Sequence, residues 1–238
     1  MKRMKIVAVL AAFLSVVSFS SCLDSDGDSY DFYDYVTVSQ DYMGRTCLVG
    51  DYSDITMYPS NSSVLSPLLM NDGSYYKRAY AGIKLAEEYN QTKKTFNISE
   101  IYVSYAIPYT SFNTRKDTLN GDFALSNLNK VWAKAGFVNV EFGVDVASSN
   151  VASFYKDIHM YVTGAQADTL YTKLRYVKPT ETGQNYSVLT SFELPKYASE
   201  YYMLQPKNDS IVIKVEAEGK LNEDLKAFAK YSFSELNK

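Results

Sequence analysis

The stretch VNVEFGVDV, residues 138–146, alternates apolar and polar side chains without a break. One face would carry Val138, Val140, Phe142, Val144 and Val146, and the other would carry Asn139, Glu141, Gly143 and Asp145. A period of two is typical of a β-strand with one face on a core and the other in water. The stretch therefore predicts a half-buried strand in an antiparallel sheet.

The same alternation recurs along most of the chain. It appears in AYAGIKLAE, EIYVSYAI, DIHMYV, DTLYTKLRYV, YSVLTSFEL and SIVIKVEAE, with turn-forming clusters such as MNDGS and QPKNDS between them. In EIYVSYAI the predicted inner face is Ile101, Val103, Tyr105 and Ile107. The 22 tyrosines also favour strands. Helix is predicted only in LSNLNKVWAKAG (125–136) and LNEDLKAF (221–228), so the fold class is all-β.

A compositional break at TSFNTRKDTLNGDFALS, residues 110–126, predicts a domain boundary. About five short strands precede it, which suits a small barrel of OB type over residues 35–110. About six or seven follow it, which suits an antiparallel β-sandwich over residues 116–238.

Residues 1–21 are typical of a lipoprotein signal peptide. Lys2, Arg3 and Lys5 precede the apolar run IVAVLAAFLSVV, which is shorter than the about 20 residues that a membrane span needs. Ser20 and Ser21 then lead into Cys22, in a pattern that resembles a bacterial lipobox. We therefore expect lipidation of Cys22 and a membrane anchor.

Residues 22–34 are predicted to form an acidic tether, which also resembles a surface-export signal. The alternative is a calcium loop with Asp24, Asp26 and Asp28 as ligands. However, Ser29 stands where such a loop needs glycine, and Tyr35 where it needs glutamate. No metal site is therefore predicted here.

Charge and cysteine content exclude further classes. The chain carries 24 basic and 27 acidic residues, and loss of Lys2, Arg3 and Lys5 with the signal would make it more acidic. A nucleic-acid partner is not expected, because such proteins carry a basic patch. With Cys22 lipidated, Cys47 would have no disulfide partner, and its apolar surroundings predict a buried thiol.

Catalytic patterns are missing from the sequence. The single histidine, His159, lies on the predicted outer face of a strand, which disfavours both a histidine-rich zinc site and a serine–histidine–aspartate triad. No phosphate-binding glycine motif occurs, and no cofactor is predicted. We expect a protein that is not an enzyme, although a hydrolase using two carboxylates remains an alternative.

Tyrosine pairs beside turns are the candidate ligand platform: Tyr75, Tyr76, Tyr201 and Tyr202. Exposed rings on rigid loops can stack on sugars or anchor a protein. The cluster Tyr30, Tyr33 and Tyr35 lies in a similar setting and is a further candidate. A structural role in strands and sheet corners is the alternative for all of these residues.

The order of these features resembles the NigD-like lipoproteins. The resemblance rests on the lipobox at Cys22, the tyrosine-rich entry YDFYDYVTV, NKVWAKAGFVNVEF with its Trp132, TKLRYV and LTSFELP. It implies a lipidated N-terminus, an OB-type domain and a β-sandwich. It also implies, as an alternative function, immunity to a bacteriocin or secreted toxin.

The leading expectation is a lipid-anchored envelope protein with a non-enzymatic binding or shielding role, whose partner is an envelope protein or a glycan. It would lie in the outer membrane, at the cell surface or on the periplasmic face. Three Asp-Ser/Thr-aliphatic triplets resemble bacterial O-glycosylation acceptors, with Thr118, Thr169 and Ser210 as candidate sites.

Overall fold

The computed structural model describes residues 30–113, 124–146, 154–176, 183–194, 204–220 and 223–233. These residues form strands joined by turns, with two short 3-10 helical segments at Ser62–Leu68 and Phe154–Asp157. The predicted all-β class is confirmed. None of the helical segments in the described ranges has the length and apolarity to cross a membrane.

The first five strands close into a barrel in the order β1-β2-β3-β5-β4. They are β1 (Phe32–Gln40), β2 (Thr46–Gly50), β3 (Thr56–Pro59), β4 (Arg78–Leu85) and β5 (Thr95–Ala106). Neighbours run antiparallel except β3 and β5, and the 3-10 segment lies between β3 and β4. This is the OB-type arrangement that the sequence predicts. Alternating side chains such as Val36, Leu48 and Phe96 fill its interior.

Two four-stranded sheets follow, in the orders β6-β11-β8-β7 and β13-β12-β10-β9. The strands are β6 (Tyr109–Ser111), β7 (Asn127–Lys134), β8 (Phe137–Val146), β9 (Ile158–Gln166), β10 (Thr169–Tyr176), β11 (Gln184–Glu193), β12 (Ser210–Glu218) and β13 (Asp224–Ser232). Most pairs are antiparallel, but β6–β11 and β10–β12 are parallel. The five apolar residues of VNVEFGVDV pack in a core shared with β9, β10, β12 and β13.

The two predicted helices are wrong, because both segments form strands. Residues of 125–136 make β7, which pairs with β8, and those of 221–228 that are described contribute to β13, which pairs with β12. Lysine, alanine and leucine favour helix locally, but tertiary pairing outweighs that preference. In β13, Leu225 and Ala229 pack against the core, while Phe228, on the opposite face of the strand, is exposed.

The end of the predicted tether differs from the sequence expectation. Residues 30–34 belong to the barrel, since Asp31 accepts a hydrogen bond from the Leu85 backbone and β1 begins at Phe32. Asp34 is buried and accepts hydrogen bonds from the backbone of Tyr52 and Ser53. Residues 1–29, including Cys22, lie outside the described residues.

Candidate functional site

Eight aromatic rings form a continuous layer on the outside of the barrel, which we call the aromatic surface. Each ring centroid lies within about 6 Å of the next, as expected for favourable aromatic pairs. Its members are Tyr30, Tyr33, Tyr35, Tyr52, Tyr80, Tyr102, Tyr105 and Trp132. Trp132 belongs to β7, so the surface reaches across the junction between barrel and sandwich.

The rings form a connected path. At one end Tyr30 stacks on Tyr102 at 5.8 Å and meets the edge of Tyr33 at 6.0 Å. Tyr80 lies in the middle, 5.9 Å from Tyr33 and 4.9 Å from Tyr35. The other end is a triangle in which Tyr35 lies 5.4 Å from Trp132 and 5.6 Å from Tyr52.

Strand register brings these rings together. Tyr35 on β1 pairs with Tyr80 on β4, and Tyr80 pairs with Tyr105 on β5. Gly82 lies between the strand positions of Tyr33 and Tyr102. A Cβ atom on Gly82 would lie 2.9 Å from the Tyr30 ring and 3.0 Å from the Tyr33 ring. Glycine therefore allows both rings to approach the backbone at this position closely.

A β-bulge in β5 explains why sequence alternation misplaced Tyr105. Tyr80 pairs with Tyr105 but Ala81 pairs with Val103, so Ser104 is the extra residue. The bulge turns Tyr105 from the predicted inner face to the outside, where it is 45% exposed. Tyr102 and Tyr105 consequently share a face although three positions separate them.

The exposed large side chains of the aromatic surface are all tyrosines. Tyr33, Tyr52, Tyr102 and Tyr105 are each about half exposed, whereas Tyr35, Tyr80 and Trp132 are partly covered. Burial, followed by a hydrogen bond with Tyr35, raises the pKa of Tyr105 well above that of free tyrosine. Burial likewise raises the pKa of Tyr80. These two hydroxyls therefore resist ionisation at alkaline pH more than a free tyrosine does.

Charged groups border the rings. The Tyr30 hydroxyl donates to Glu100 at 3.3 Å, and Lys84 lies 3.8 Å from the same carboxylate. Lys130 donates to the Tyr52 hydroxyl at 2.6 Å and lies 4.4 Å above the centre of its ring. The surface thus combines apolar ring faces with positively and negatively charged groups that can form hydrogen bonds.

A buried ion pair lies beneath the Trp132 end of this surface. The side chains of Arg78 and Asp51 are both fully buried, and they form two hydrogen bonds of 2.8 and 2.6 Å. Arg78 also donates to Thr37, to Asn139 at 2.7 Å and to Ser191 at 3.4 Å. All five guanidinium N–H groups therefore have partners.

This network joins the barrel to the sandwich. Arg78 and Asp51 belong to the barrel part, whereas Asn139 and Ser191 lie on β8 and β11. The Trp132 indole donates to Asp51 at 2.7 Å, which fixes the ring in the aromatic surface. Asn139 was expected on a wet face but is fully buried, because it lies in this network against the barrel.

Of the two tyrosine pairs that the sequence favoured, the structure describes one, Tyr75 and Tyr76, which lies outside the aromatic surface. Tyr75 is half-buried and packs against the barrel core, while Tyr76 is 37% exposed. Tyr201, Tyr202 and Thr118 lie outside the described residues. The sequence did point to Tyr30, Tyr33 and Tyr35, but it missed the rest of the surface, because register and a bulge assemble it.

The remaining candidates are scattered. Thr169 opens β10 and donates to its neighbour Asp168, whereas Ser210 is only 6% exposed. His159 is half-buried beside Tyr161. Cys47 is buried, and that burial raises its pKa. Within the described ranges, no group of three or more histidine, cysteine, aspartate or glutamate side chains could hold a metal ion.

Comparison with known proteins shows similarity of fold. A candidate toxin-related protein from Parabacteroides distasonis superposes with a TM-score of 0.55 at 15% identity, over 86% of this chain and 94% of that one. A candidate lipoprotein from Bacteroides fragilis superposes with a TM-score of 0.52 at 12% identity, over 84% of this chain and 98% of that one.

A NigD-like immunity protein from Bacteroides caccae is also among the structural neighbours, with a TM-score of 0.41 at 15% identity, over 88% of this chain and 100% of that one. At these identities the similarity concerns the fold alone, and it rests on structures with TM-scores above 0.5, such as the two from Parabacteroides distasonis and Bacteroides fragilis. No family model matches the sequence. No curated protein matches it either.

Proposed function

We propose that this chain is a lipid-anchored envelope protein that binds an extended glycan along the aromatic surface. The observation that carries the proposal is the continuous layer of eight rings, four of them about half exposed. Sugar rings present C–H groups on their faces and hydroxyls at their edges, so they suit amphipathic tyrosines bordered by charged groups.

Ring chemistry favours a glycan over a protein partner. The cores of protein interfaces are enriched in methionine and phenylalanine as well as tyrosine. The exposed large apolar residues of this surface are tyrosines alone. Glu100 and Lys130 at its borders can bind sugar hydroxyls. The path of rings suits several consecutive sugar units better than a single one.

The predicted anchor would place this surface near a membrane. Tyr30 follows Cys22 by eight positions, and an extended chain covers about 3.5 Å per residue, so Tyr30 would lie within about 28 Å of the lipid. We infer attachment to the outer membrane, with the surface directed at glycans close to it. Protease shaving of intact and lysed cells tests which side the protein faces.

The binding test uses purified chain without its signal and polysaccharide fractions from the envelope of the producing cells. We expect Tyr33→Ala and Tyr102→Ala each to weaken binding about tenfold, which corresponds to about 1.4 kcal/mol. Tyr89→Ala is the matched control, because Tyr89 is 53% exposed and lies outside the aromatic surface. Equal affinity of all three variants, or no binding by the unaltered chain, would refute the proposal.

The immunity role implied by the NigD-like resemblance stays a prediction. Its test is separate from glycan binding: deletion of the chain should sensitise the producing cells to a secreted toxin of competing strains. Unchanged sensitivity would count against that role and leave the glycan proposal untouched.

A further inference from the structure

The loop that joins β1 to β2, Asp41–Arg45, exposes two large apolar side chains at its tip. Tyr42 is 88% exposed and Met43 is 63% exposed, the two highest values among the large hydrophobic residues of the described ranges. Neither belongs to the aromatic surface. Side chains this exposed contribute little apolar burial to the barrel.

The loop is nevertheless rigidly held. The Asp41 carboxylate, whose side chain is 1% exposed, accepts hydrogen bonds from the backbone N–H groups of Met43 and Arg45, from the Arg45 side chain and from the Tyr58 hydroxyl. Gly44 takes a φ of 77°, as glycine does at the end of a three-residue hairpin loop. The tip is therefore held in one conformation before it meets any partner, which lowers the entropic cost of binding.

A cleft of about 460 Å³ opens beside this tip. Tyr42, Cys47, Thr56 and Tyr58 line its barrel side, and Lys134 lines it from the end of β7. Asp54 lies between Lys94 and Lys134 and forms an ion pair with each. The cleft is thus built from both parts of the chain, and its charged lining comprises Lys94, Lys134, Asp41 and Asp54. The side chain of Lys94 is 65% exposed, and that of Arg45, on the adjoining loop, is 58% exposed.

We propose that the β1–β2 loop and this cleft dock a protein partner, which accepts Tyr42 and Met43 in an apolar depression and places a carboxylate near Arg45 and Lys94. Tyrosine, methionine and arginine are the residue types enriched in protein interfaces. A glycan is disfavoured, because the Met43 thioether offers only a weak hydrogen-bond acceptor.

The position of the loop also argues against a membrane as the occupant. β1 runs for nine residues from near Tyr30 toward the loop, a rise of about 30 Å at 3.4 Å per residue. The loop therefore lies at the opposite end of β1 from Tyr30, the first described residue after the predicted anchor. A partner could reach it while the aromatic surface is occupied, so this docking site is independent of the proposed glycan site.

The test places a photo-crosslinking amino acid at position 43 of the full chain in the producing cells. The matched control carries it at position 89, another exposed loop site. We expect one protein adduct of defined mass from position 43 and none of that mass from position 89. The protein identified in the adduct, once purified, should bind the unaltered chain, and Met43→Asp should weaken binding more than about tenfold, whereas Tyr89→Asp should change it less than about twofold.

Several outcomes would overturn the proposal. These are no adduct from position 43, the same adducts from both positions, or an identified protein whose affinity Met43→Asp leaves unchanged. If proteinase digestion leaves a position-43 peptide that carries lipid or sugar, the tip contacts a membrane or a glycan instead. Unchanged circular dichroism and Trp132 fluorescence of the variants verify that each one is folded.

Discussion

Replacing Arg78 by methionine should destabilise the protein strongly. Methionine keeps much of the length and apolar volume of arginine, but it leaves the fully buried Asp51 carboxylate without its cation. Removal of one partner from a buried ion pair costs about 3–5 kcal/mol, because an uncompensated charge remains. With a urea dependence of about 2 kcal/mol per molar, the unfolding midpoint should fall by about 2 M.

Urea titrations followed by two signals measure this effect. Far-UV circular dichroism reports on the strands of the whole chain, whereas fluorescence comes from Trp132, the only tryptophan, whose indole donates to Asp51. The matched control is Lys84→Met, which removes an exposed ion pair with Glu100 and should cost less than about 1 kcal/mol. In Arg78→Met the fluorescence transition should precede the circular dichroism transition, because the junction between barrel and sandwich loosens first.

The double variant Arg78→Met with Asp51→Leu tests the cause. If the cost arises from the unpaired charge, the double variant should be more stable than the sum of the two single losses predicts, by about 2–3 kcal/mol. Additive losses would mean that the two side chains act by shape alone. A loss below about 1 kcal/mol in Arg78→Met itself would refute the reasoning.

Four further predictions address other parts of the molecule. Gly82→Ala should lower the free energy of unfolding by about 1–3 kcal/mol and displace aromatic rings, because its Cβ would overlap the Tyr30 and Tyr33 rings. Near-ultraviolet circular dichroism and a denaturation curve measure the two effects, and an unaltered spectrum would contradict the prediction. In an alkaline absorbance titration, Tyr105 should ionise at higher pH than free tyrosine, because burial and then hydrogen bonding raise its pKa. The stability that Tyr105 contributes should be complete below the ordinary tyrosine pKa and should be lost as the pH rises through its pKa in the folded protein. Tyr105→Phe should remove the late ionisation step. A hydrogen bond from Lys134 lowers the pKa of Asp54, although partial burial acts in the opposite direction. This pair should therefore stabilise the fold above the ordinary carboxyl pKa, and the effect should be lost as the pH falls through the lowered pKa. Asp54→Asn should make the free energy of unfolding less dependent on pH in this acidic range. Intact mass of the native protein should show diacylglyceryl modification at the new N-terminus, and a mass equal to the unmodified full chain would disprove lipidation.

Strand positions and the barrel followed from the sequence, because period-two alternation reports directly on which face is buried. Ile101 and Phe142 pack where that alternation predicts. Two segments were mistaken for helices, because local residue preference favours helix there. Antiparallel pairing with the neighbouring strands β8 and β12 outweighs that preference. The Ser104 bulge was equally invisible, since a single extra residue leaves no mark on composition but inverts every later side chain in the strand.

The candidate site was less predictable than the fold for the same reason. Tyr30 and Tyr33 stood out as part of a tyrosine-rich entry. Tyr102 joins them because β4 pairs with both β1 and β5, and Trp132 joins them because its strand packs against the barrel. Arg78 looks like an ordinary polar residue at the start of a strand. Its burial depends on Asn139 and Ser191, which lie on strands of the other part of the chain.

That dependence has a consequence for the order in which the chain acquires its structure. Ser191 stands 113 positions after Arg78, so the guanidinium meets its last partner only when most of the polypeptide has been synthesised. In a nascent barrel, Arg78 would lack its hydrogen bonds to Asn139 and Ser191 on the side that later meets the sandwich. Contacts this distant in sequence also form slowly. The N-terminal half should accordingly remain a labile intermediate, prone to capture by chaperones, until strand β11 arrives and completes the junction.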